Sequence, residues 1–358
     1  MSKFITPLYN SLKEYVPGEQ PQDKKYIKLN TNESPFPPSP VVIECVNSEA
    51  VKNLKLYSDP ESKVLKEELA KAYDVLKENV FVSNGSDEIL NFAFMAYARE
   101  QGVAFSDITY GFYKVFAELY NVQTKIIPLK EDFTIDYKDY INLNKMIVIA
   151  NPNAPTGISL KLNEIEEIIK SNPQNVVVID EAYVDFGGTS ALNLINKYDN
   201  LLIVRTYSKS RSMAGARLGY AFGNKEIIAD LEKIKYSTNP YNVNRLTQIA
   251  GIASLMDNEY YENNCNDIMI NRESTVKELK KLGFFVLPSD ANFIFVKHPD
   301  IQGEDLYLKL KDKGILIRHF TQERIKDFNR ITIGTLEEMH SLILAIKEIL
   351  EEIWEKLI

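Results

Sequence analysis

The sequence predicts an α/β protein, with a mostly parallel sheet covered by helices on both faces and a smaller α+β domain after it. Two observations carry this. Apolar runs such as Met146-Ile-Val-Ile-Ala, Val176-Val-Val-Ile and Leu201-Leu-Ile-Val alternate with helical patterns. A strand that is apolar on both sides is buried on both sides, which is the habit of parallel sheets. Beyond about Asn244 the pattern changes to long helices through Leu282 and then short, separated strands.

In chain order, the first forty residues are rich in Pro, Asn and Tyr and read as an arm with little regular structure. An amphipathic helix is expected from Lys63 to Leu76, followed by a strand at Val80-Phe-Val and a helix from Ile89 to Arg99. Strands follow at Gly102-Val-Ala-Phe, Lys125-Ile-Ile-Pro, Met146 to Ala150, Val176 to Asp180 and Leu201 to Val204, with helices at Tyr113 to Tyr120 and Leu162 to Lys170. Tyr220-Ala-Phe-Gly reads as a further strand that could run antiparallel. Phe284-Phe-Val-Leu, Phe293-Ile-Phe-Val and Arg330-Ile-Thr-Ile then give a small sheet, with helices at Asp305 to Lys313 and Leu336 to Leu357. The stripe Met339, Leu342, Ile346, Ile349, Ile353 and Leu357 suits packing on that sheet better than binding a partner. The expected division is an arm at 1–40 that joins the small domain, a large domain at 41–265, and the small domain at 266–358.

At 358 residues, 45% hydrophobic and 26% charged, the chain has an ordinary globular composition. Its formal net charge of −8 argues against nucleic acid or an acidic membrane as partner. Cys45 and Cys265 lie far apart and three scattered histidines form no ligand pattern, so no metal site is expected. The cysteine usage suits a reduced, cytoplasmic compartment. No apolar run has the length of a membrane span, and the first fifteen residues hold no signal-peptide core.

In open parallel sheets ligands gather at the carboxyl ends of strands. Lys209 follows the strand at Leu201 to Val204, among small residues, with Ser208 before it and Arg217 eight residues after it. An ammonium is costly to desolvate, so such a lysine loses its proton more readily and can attack a carbonyl. Ser208 and Arg217 suit an anion beside it, which together suggests a lysine that carries pyridoxal phosphate. In Asn84-Gly-Ser-Asp-Glu88, the N–H groups of Ser86 and Asp87 open a helix, where phosphate is attracted. Asp180 ends a strand and could pair with a pyridinium nitrogen, and Tyr183 could reach the ring's phenolic oxygen. Tyr110 sits in a turn where an aromatic could stack on a flat ring. Asn151-Pro-Asn-Ala-Pro-Thr-Gly157 reads only as a loop. Each signal alone has an ordinary structural explanation. Their order in one layout is what points to a site.

The chain resembles the fold-type I, aspartate-aminotransferase-like pyridoxal-phosphate enzymes, and within them the histidinol-phosphate aminotransferase family. The similar segments are Leu29-Asn-Thr-Asn-Glu-Ser-Pro, Tyr57-Ser-Asp-Pro, Asn84-Gly-Ser-Asp-Glu, Thr109-Tyr-Gly, Asn151-Pro-Asn-Ala-Pro-Thr-Gly, Asp180-Glu-Ala-Tyr, Ser208-Lys, Pro240-Tyr-Asn-Val-Asn and Arg330-Ile-Thr-Ile-Gly-Thr. The resemblance implies that Lys209 holds the cofactor covalently and moves the substrate's α-proton. It implies Asp180 on the pyridinium nitrogen, Tyr183 on the phenolic oxygen and Tyr110 over the ring. Ser208, Arg217 and the backbone of Ser86 and Asp87 would take the phosphate. Tyr57 would reach the other subunit's cofactor, which implies a homodimer. Arg330 would bind the substrate's anionic end, with Arg318, Tyr15 and Asn32 on the substrate side.

Two positions depart from the family pattern. Ala154 stands where an asparagine usually contacts the phenolic oxygen, and Asn153 is the nearest substitute. Arg211 replaces a residue that is often small or aromatic. The resemblance implies an aminotransferase that interconverts histidinol phosphate and 2-oxoglutarate with imidazole-acetol phosphate and glutamate. An aromatic amino-acid aminotransferase and a decarboxylase of a phosphorylated amino acid remain as alternatives.

Overall fold

The computed structural model describes residues 2–10 and 12–357. Thirteen strands among them form three sheets. In chain order they are β1 (Ile27–Lys28), β2 (Val80–Ser83), β3 (Val103–Ser106), β4 (Thr124–Ile127), β5 (Met146–Ala150), β6 (Val177–Asp180), β7 (Leu201–Thr206), β8 (Gly219–Gly223), β9 (Phe285–Val286), β10 (Phe293–Lys297), β11 (Ile315–Leu316), β12 (Arg318–His319) and β13 (Asn329–Thr332).

The large sheet has the order β2-β8-β7-β6-β5-β3-β4. Its β7, β6, β5, β3 and β4 run parallel. Only β8 runs against its two neighbours, as the sequence suggested for Tyr220-Ala-Phe-Gly. Side chains alternate between the two faces. Ile147, Ile149, Val177, Ile179, Leu201 and Ile203 feed one apolar core, and Met146, Val148, Val178, Leu202 and Val204 feed the other. That is why these runs are apolar without alternation.

The helix after β2 spans Gly85–Ala93 and passes into a π-helical turn at Phe94–Ala98, so it begins four residues before the apolar pattern does. The helix expected to reach Leu76 ends at Tyr73, where Asp74 adopts a left-handed conformation (φ 52°). The small antiparallel sheet has the order β12-β13-β10-β9. Strand β1 of the arm pairs in parallel with β11, so the arm is tied to this end of the molecule. The 24-residue helix Asn258–Lys281 runs unbroken through the expected boundary at 265. Met339, Leu342, Ile346 and Ile349 of the last helix are buried in the small-sheet core, as expected for a packing stripe. The side chain of Leu357 lies outside the described residues. No helix among the described residues is long and apolar enough to cross a membrane.

Candidate active site

One edge of the large sheet gathers the predicted residues. Since β8 alone is reversed, Ser83, Ser106, Ala150, Asp180 and Thr206 end their strands on the same edge, and Gly219 begins β8 there. The helix start that carries Ser86 and the loops that carry Tyr110, Asn153, Tyr183 and Lys209 leave from it.

Asp180 is 5% exposed. Its Oδ2 accepts from the Tyr113 hydroxyl at 2.7 Å and its Oδ1 from the Ala182 N–H at 3.2 Å. Burial pushes its carboxyl up to about 6, against the smaller downward pull of those donors. Among the described residues no basic side chain pairs with it. Its neighbour Glu181 differs: it takes two N–H bonds from Arg205 and further ones from Ser190 and Ala191. A buried acid without a cation is suited to a protonated heterocyclic nitrogen.

The Lys209 amine lies 3.2 Å from the Thr31 carbonyl, to which it donates, and 5.7 Å from the centre of the Tyr183 ring. Burial first, and then the guanidinium of Arg330, lowers it to about 8. A fair share is therefore neutral near pH 7–8, as attack on a carbonyl requires.

The helix Gly85–Ala93 presents its N-terminus beside Arg217. Gly85 has φ 78°, and a Cβ on it would fall 2.7 Å from Arg217 Nη2. A Cβ on Gly219 would collide with the backbone of Gly85 and Ser86. Backbone excludes a side chain at Gly219 and the positive φ disfavours one at Gly85, so the helix start lies close against the strand and the Arg217 guanidinium, where N–H groups and guanidinium suit an anion. Arg217 itself holds a left-handed backbone (φ 53°), uncommon for a non-glycine residue and typical of functional loops. Its Nη2 donates to Asp87 Oδ2 at 3.0 Å, while Tyr110 donates to Asp87 Oδ1 at 2.7 Å. The Asp87 side chain thus braces both the arginine and the aromatic. Together the cradle, the unpaired acid and the lysine fit a flat phosphorylated heterocycle, as pyridoxal phosphate is.

The Tyr183 hydroxyl accepts from Asn32 Nδ2 at 3.0 Å. Arg330 donates to the Asn30 carbonyl at 2.9 Å, and its buried Nε has no partner, so part of the fork is free. Tyr15 stacks on Phe112 with ring centres 4.3 Å apart and meets Tyr110 edge-on at 6.2 Å. Tyr57 is 78% exposed and stacks on Tyr241 at 4.6 Å.

Three expectations change. Both amide hydrogens of Asn153 are spent on the Ile108 carbonyl and Thr156 Oγ1, and its Oδ1 takes the Thr109 hydroxyl. It braces its own loop and has no N–H for a phenolic oxygen. Arg318 donates to the carbonyls of Val16 and Pro17 at 2.9 and 3.0 Å, so its fork grips the arm rather than facing an open site. Asn32, expected on the substrate side, is committed to Tyr183. Arg211 is buried, donating to the Ser254 carbonyl and Asn258 Oδ1 and lying 5.2 Å from the Tyr261 ring centre. It is a packing residue. Sequence reading missed Tyr113, the partner of Asp180, and Thr332, the partner of Asn32. The first sits on a helix whose pattern reads as core, and the second inside a strand.

Residues 24–346 match the family model of class I and II aminotransferases. The chain belongs to that family. This aminotransferase is 52% identical to a histidinol-phosphate aminotransferase of Brachyspira hyodysenteriae, over 98% of this chain and 100% of that one. It is 48% identical to a histidinol-phosphate aminotransferase of Clostridium acetobutylicum, over 97% and 99%. Solved aminotransferase structures share the fold. Histidinol-phosphate aminotransferase from Sinorhizobium meliloti, in complex with pyridoxal-5'-phosphate, superposes with a TM-score of 0.87 at 23% identity, covering 98% of this chain and 99% of that one. L-threonine-O-3-phosphate decarboxylase from Porphyromonas gingivalis superposes with a TM-score of 0.79 at 21% identity, covering 91% and 99%. The fold is therefore common to both reaction types, and the choice between them rests on sequence and site.

Proposed function

We propose that this aminotransferase uses pyridoxal phosphate to exchange an amino group between histidinol phosphate and 2-oxoglutarate, giving imidazole-acetol phosphate and glutamate in histidine biosynthesis. The observation that carries the reading is the near full-length identity of about half with histidinol-phosphate aminotransferases. The site's donor set agrees with it.

When bound, the cofactor supplies an electron-poor ring that disperses negative charge from the substrate's α-carbon. The chain's residues do the rest. Lys209 would hold the cofactor and, once its amine is free, would serve as the base that moves the substrate's α-proton. Asp180 would keep the ring nitrogen protonated, Tyr183 would donate to the phenolic oxygen, and Tyr110 would cover one ring face. Arg217, Ser208 and the N–H groups of Ser86 and Asp87 take the cofactor phosphate. Arg330 grips the substrate's anionic end, because a guanidinium fork suits either a carboxylate or a phosphate. Tyr15 lies against the same space. Arg318 acts through the arm that carries Tyr15.

The reading includes a homodimer in which Tyr57 completes the partner's site, supported by its exposure beside other exposed apolar residues such as Leu54 and Leu56. It also includes a cytoplasmic location, and a division into arm, large domain and small domain in which the arm joins the small domain. A substrate panel tests the function: histidinol phosphate, phenylalanine, aspartate and a phosphorylated amino acid, each with 2-oxoglutarate and product identification. Histidinol phosphate should give the highest kcat/KM and release imidazole-acetol phosphate without carbon dioxide. A higher value with phenylalanine, or carbon dioxide from the phosphorylated amino acid, overturns it.

A further inference from the structure

A short chain of buried polar groups leads from the small sheet to Tyr183. The Asn32 backbone N–H donates to Thr332 Oγ1 at 3.0 Å, and the same Oγ1 lies 3.0 Å from Asn32 Oδ1. A hydroxyl has one hydrogen, and a carboxamide oxygen only accepts. Thr332 accepts from the backbone N–H and gives its one hydrogen to Oδ1. The Asn32 carboxamide is then oriented, with Nδ2 directed at Tyr183 Oη. The reverse amide would leave the hydroxyl hydrogen of Thr332, only 2% exposed, without an acceptor among the described hydrogen bonds. Because Tyr183 accepts from Asn32, its own hydrogen must point elsewhere.

This group is otherwise surrounded by an apolar core that includes Leu29, Phe293, Ile331 and Ile333. Asn292 clamps the Asn32 carbonyl at 3.1 Å, and Asn32 holds a left-handed backbone (φ 55°) that turns it into place. Burying four polar groups in such a core costs stability, and the apolar contacts around them already hold the small sheet.

We propose that Asn32 and Thr332 are positioning residues that direct the hydrogen of the Tyr183 hydroxyl away from the small domain and toward the phenolic oxygen of the cofactor. This rests on the pyridoxal-phosphate reading above. Neither residue touches the reacting atoms. Both act through Tyr183, from a segment and a strand that lie 300 residues apart.

The test is a spectral one. A hydrogen bond to an oxygen that carries negative charge favours the less protonated form, so it lowers the pH midpoint of the bound cofactor's visible absorbance. Tyr183→Phe should raise that midpoint by about one pH unit, roughly a tenfold change in proton concentration. Thr332→Val and Asn32→Ala should raise it in the same direction by at least half as much, whereas Thr332→Ser should leave it at the parent value. Adding Thr332→Val to Tyr183→Phe should give no further shift, since the two act in series. Equilibrium binding of the cofactor to the apoprotein, followed by tyrosine fluorescence, should weaken in Thr332→Val and recover in Thr332→Ser. A Thr332→Val protein that titrates like the parent, or that adds its full shift to Tyr183→Phe, overturns the inference and leaves the cofactor reading standing. A parent protein with no visible band overturns both.

Discussion

The Tyr113 hydroxyl donates to Asp180 Oδ2 at 2.7 Å, from a helix that follows β3 to an acid that ends β6. Tyr113 is fully buried, so the bond reaches Asp180 from inside the protein.

Asp180 is pushed up to about 6 by burial, so the folded chain binds its proton more tightly than the unfolded chain does. Stability without cofactor is therefore full below the unfolded value near pH 4 and falls as pH rises toward 6. By pH 7 the cost is about 3 kcal/mol. Asp180→Asn removes it. Urea unfolding of the cofactor-free proteins should show the variant more stable at pH 7, with the difference closing below pH 4. The same variant should lose about 10²–10³ in kcat. Unchanged turnover would remove Asp180 from the ring nitrogen.

Lys209 should set the pH dependence of cofactor capture. Its amine is held near 8, and only the neutral form attacks. The rate at which the apoprotein takes up pyridoxal phosphate should therefore rise with pH to a midpoint near 8. Arg330 is a cationic neighbour that disfavours the protonated amine, so Arg330→Ala should move the midpoint upward. Lys209→Ala should lose the covalent link to the cofactor and all turnover. A Lys209→Ala protein with normal transamination would sink the assignment.

Arg330 and Arg318 should separate in kinetics. Arg330→Lys keeps the charge but loses the fork, and should lower kcat/KM by about tenfold or more in both half-reactions. Arg318→Lys loses the paired bonds to Val16 and Pro17, and should instead expose the 12–20 stretch to protease. Equal protease resistance in parent and Arg318→Lys would end the arm-holding role.

Tyr57 tests the shared site. Inactive Lys209→Ala subunits mixed with Tyr57→Ala subunits should regain part of the activity, because one hybrid site then holds both intact residues. No recovery after demonstrated subunit exchange counts against the shared site.

Much of this was legible in the sequence because parallel strands are continuous apolar runs that end in polar residues. Asp180 ends such a run and Lys209 follows one closely, and their order with the other signals draws attention to both. Tyr113 does not stand out, since its bond to Asp180 spans 67 residues and has no periodicity. The helix Phe112–Leu119 reads as a core-facing amphipath, and its tyrosine does both jobs. Asn153 misled for a related reason. Proximity in sequence to Ala154 said nothing about where its two amide hydrogens go. The grip of Arg318 on the arm spans 301 and 302 residues and likewise leaves no local trace.

Thr206 pairs with Gly219 across β7 and β8, so the loop that carries Lys209 and Arg217 is shut at its base by the sheet itself. Lysine and arginine are thus two points on one short closed ring, not on independent arms. In the proposed reading that closed span is a gauge between the amine that would take a carbonyl and the guanidinium that would take a phosphate. Changing that gauge requires slipping the register of two buried strands, which would turn every side chain of β8 to the wrong face. The placement of the two residues that the proposed site needs is in this way tied to the same pairing that builds the core.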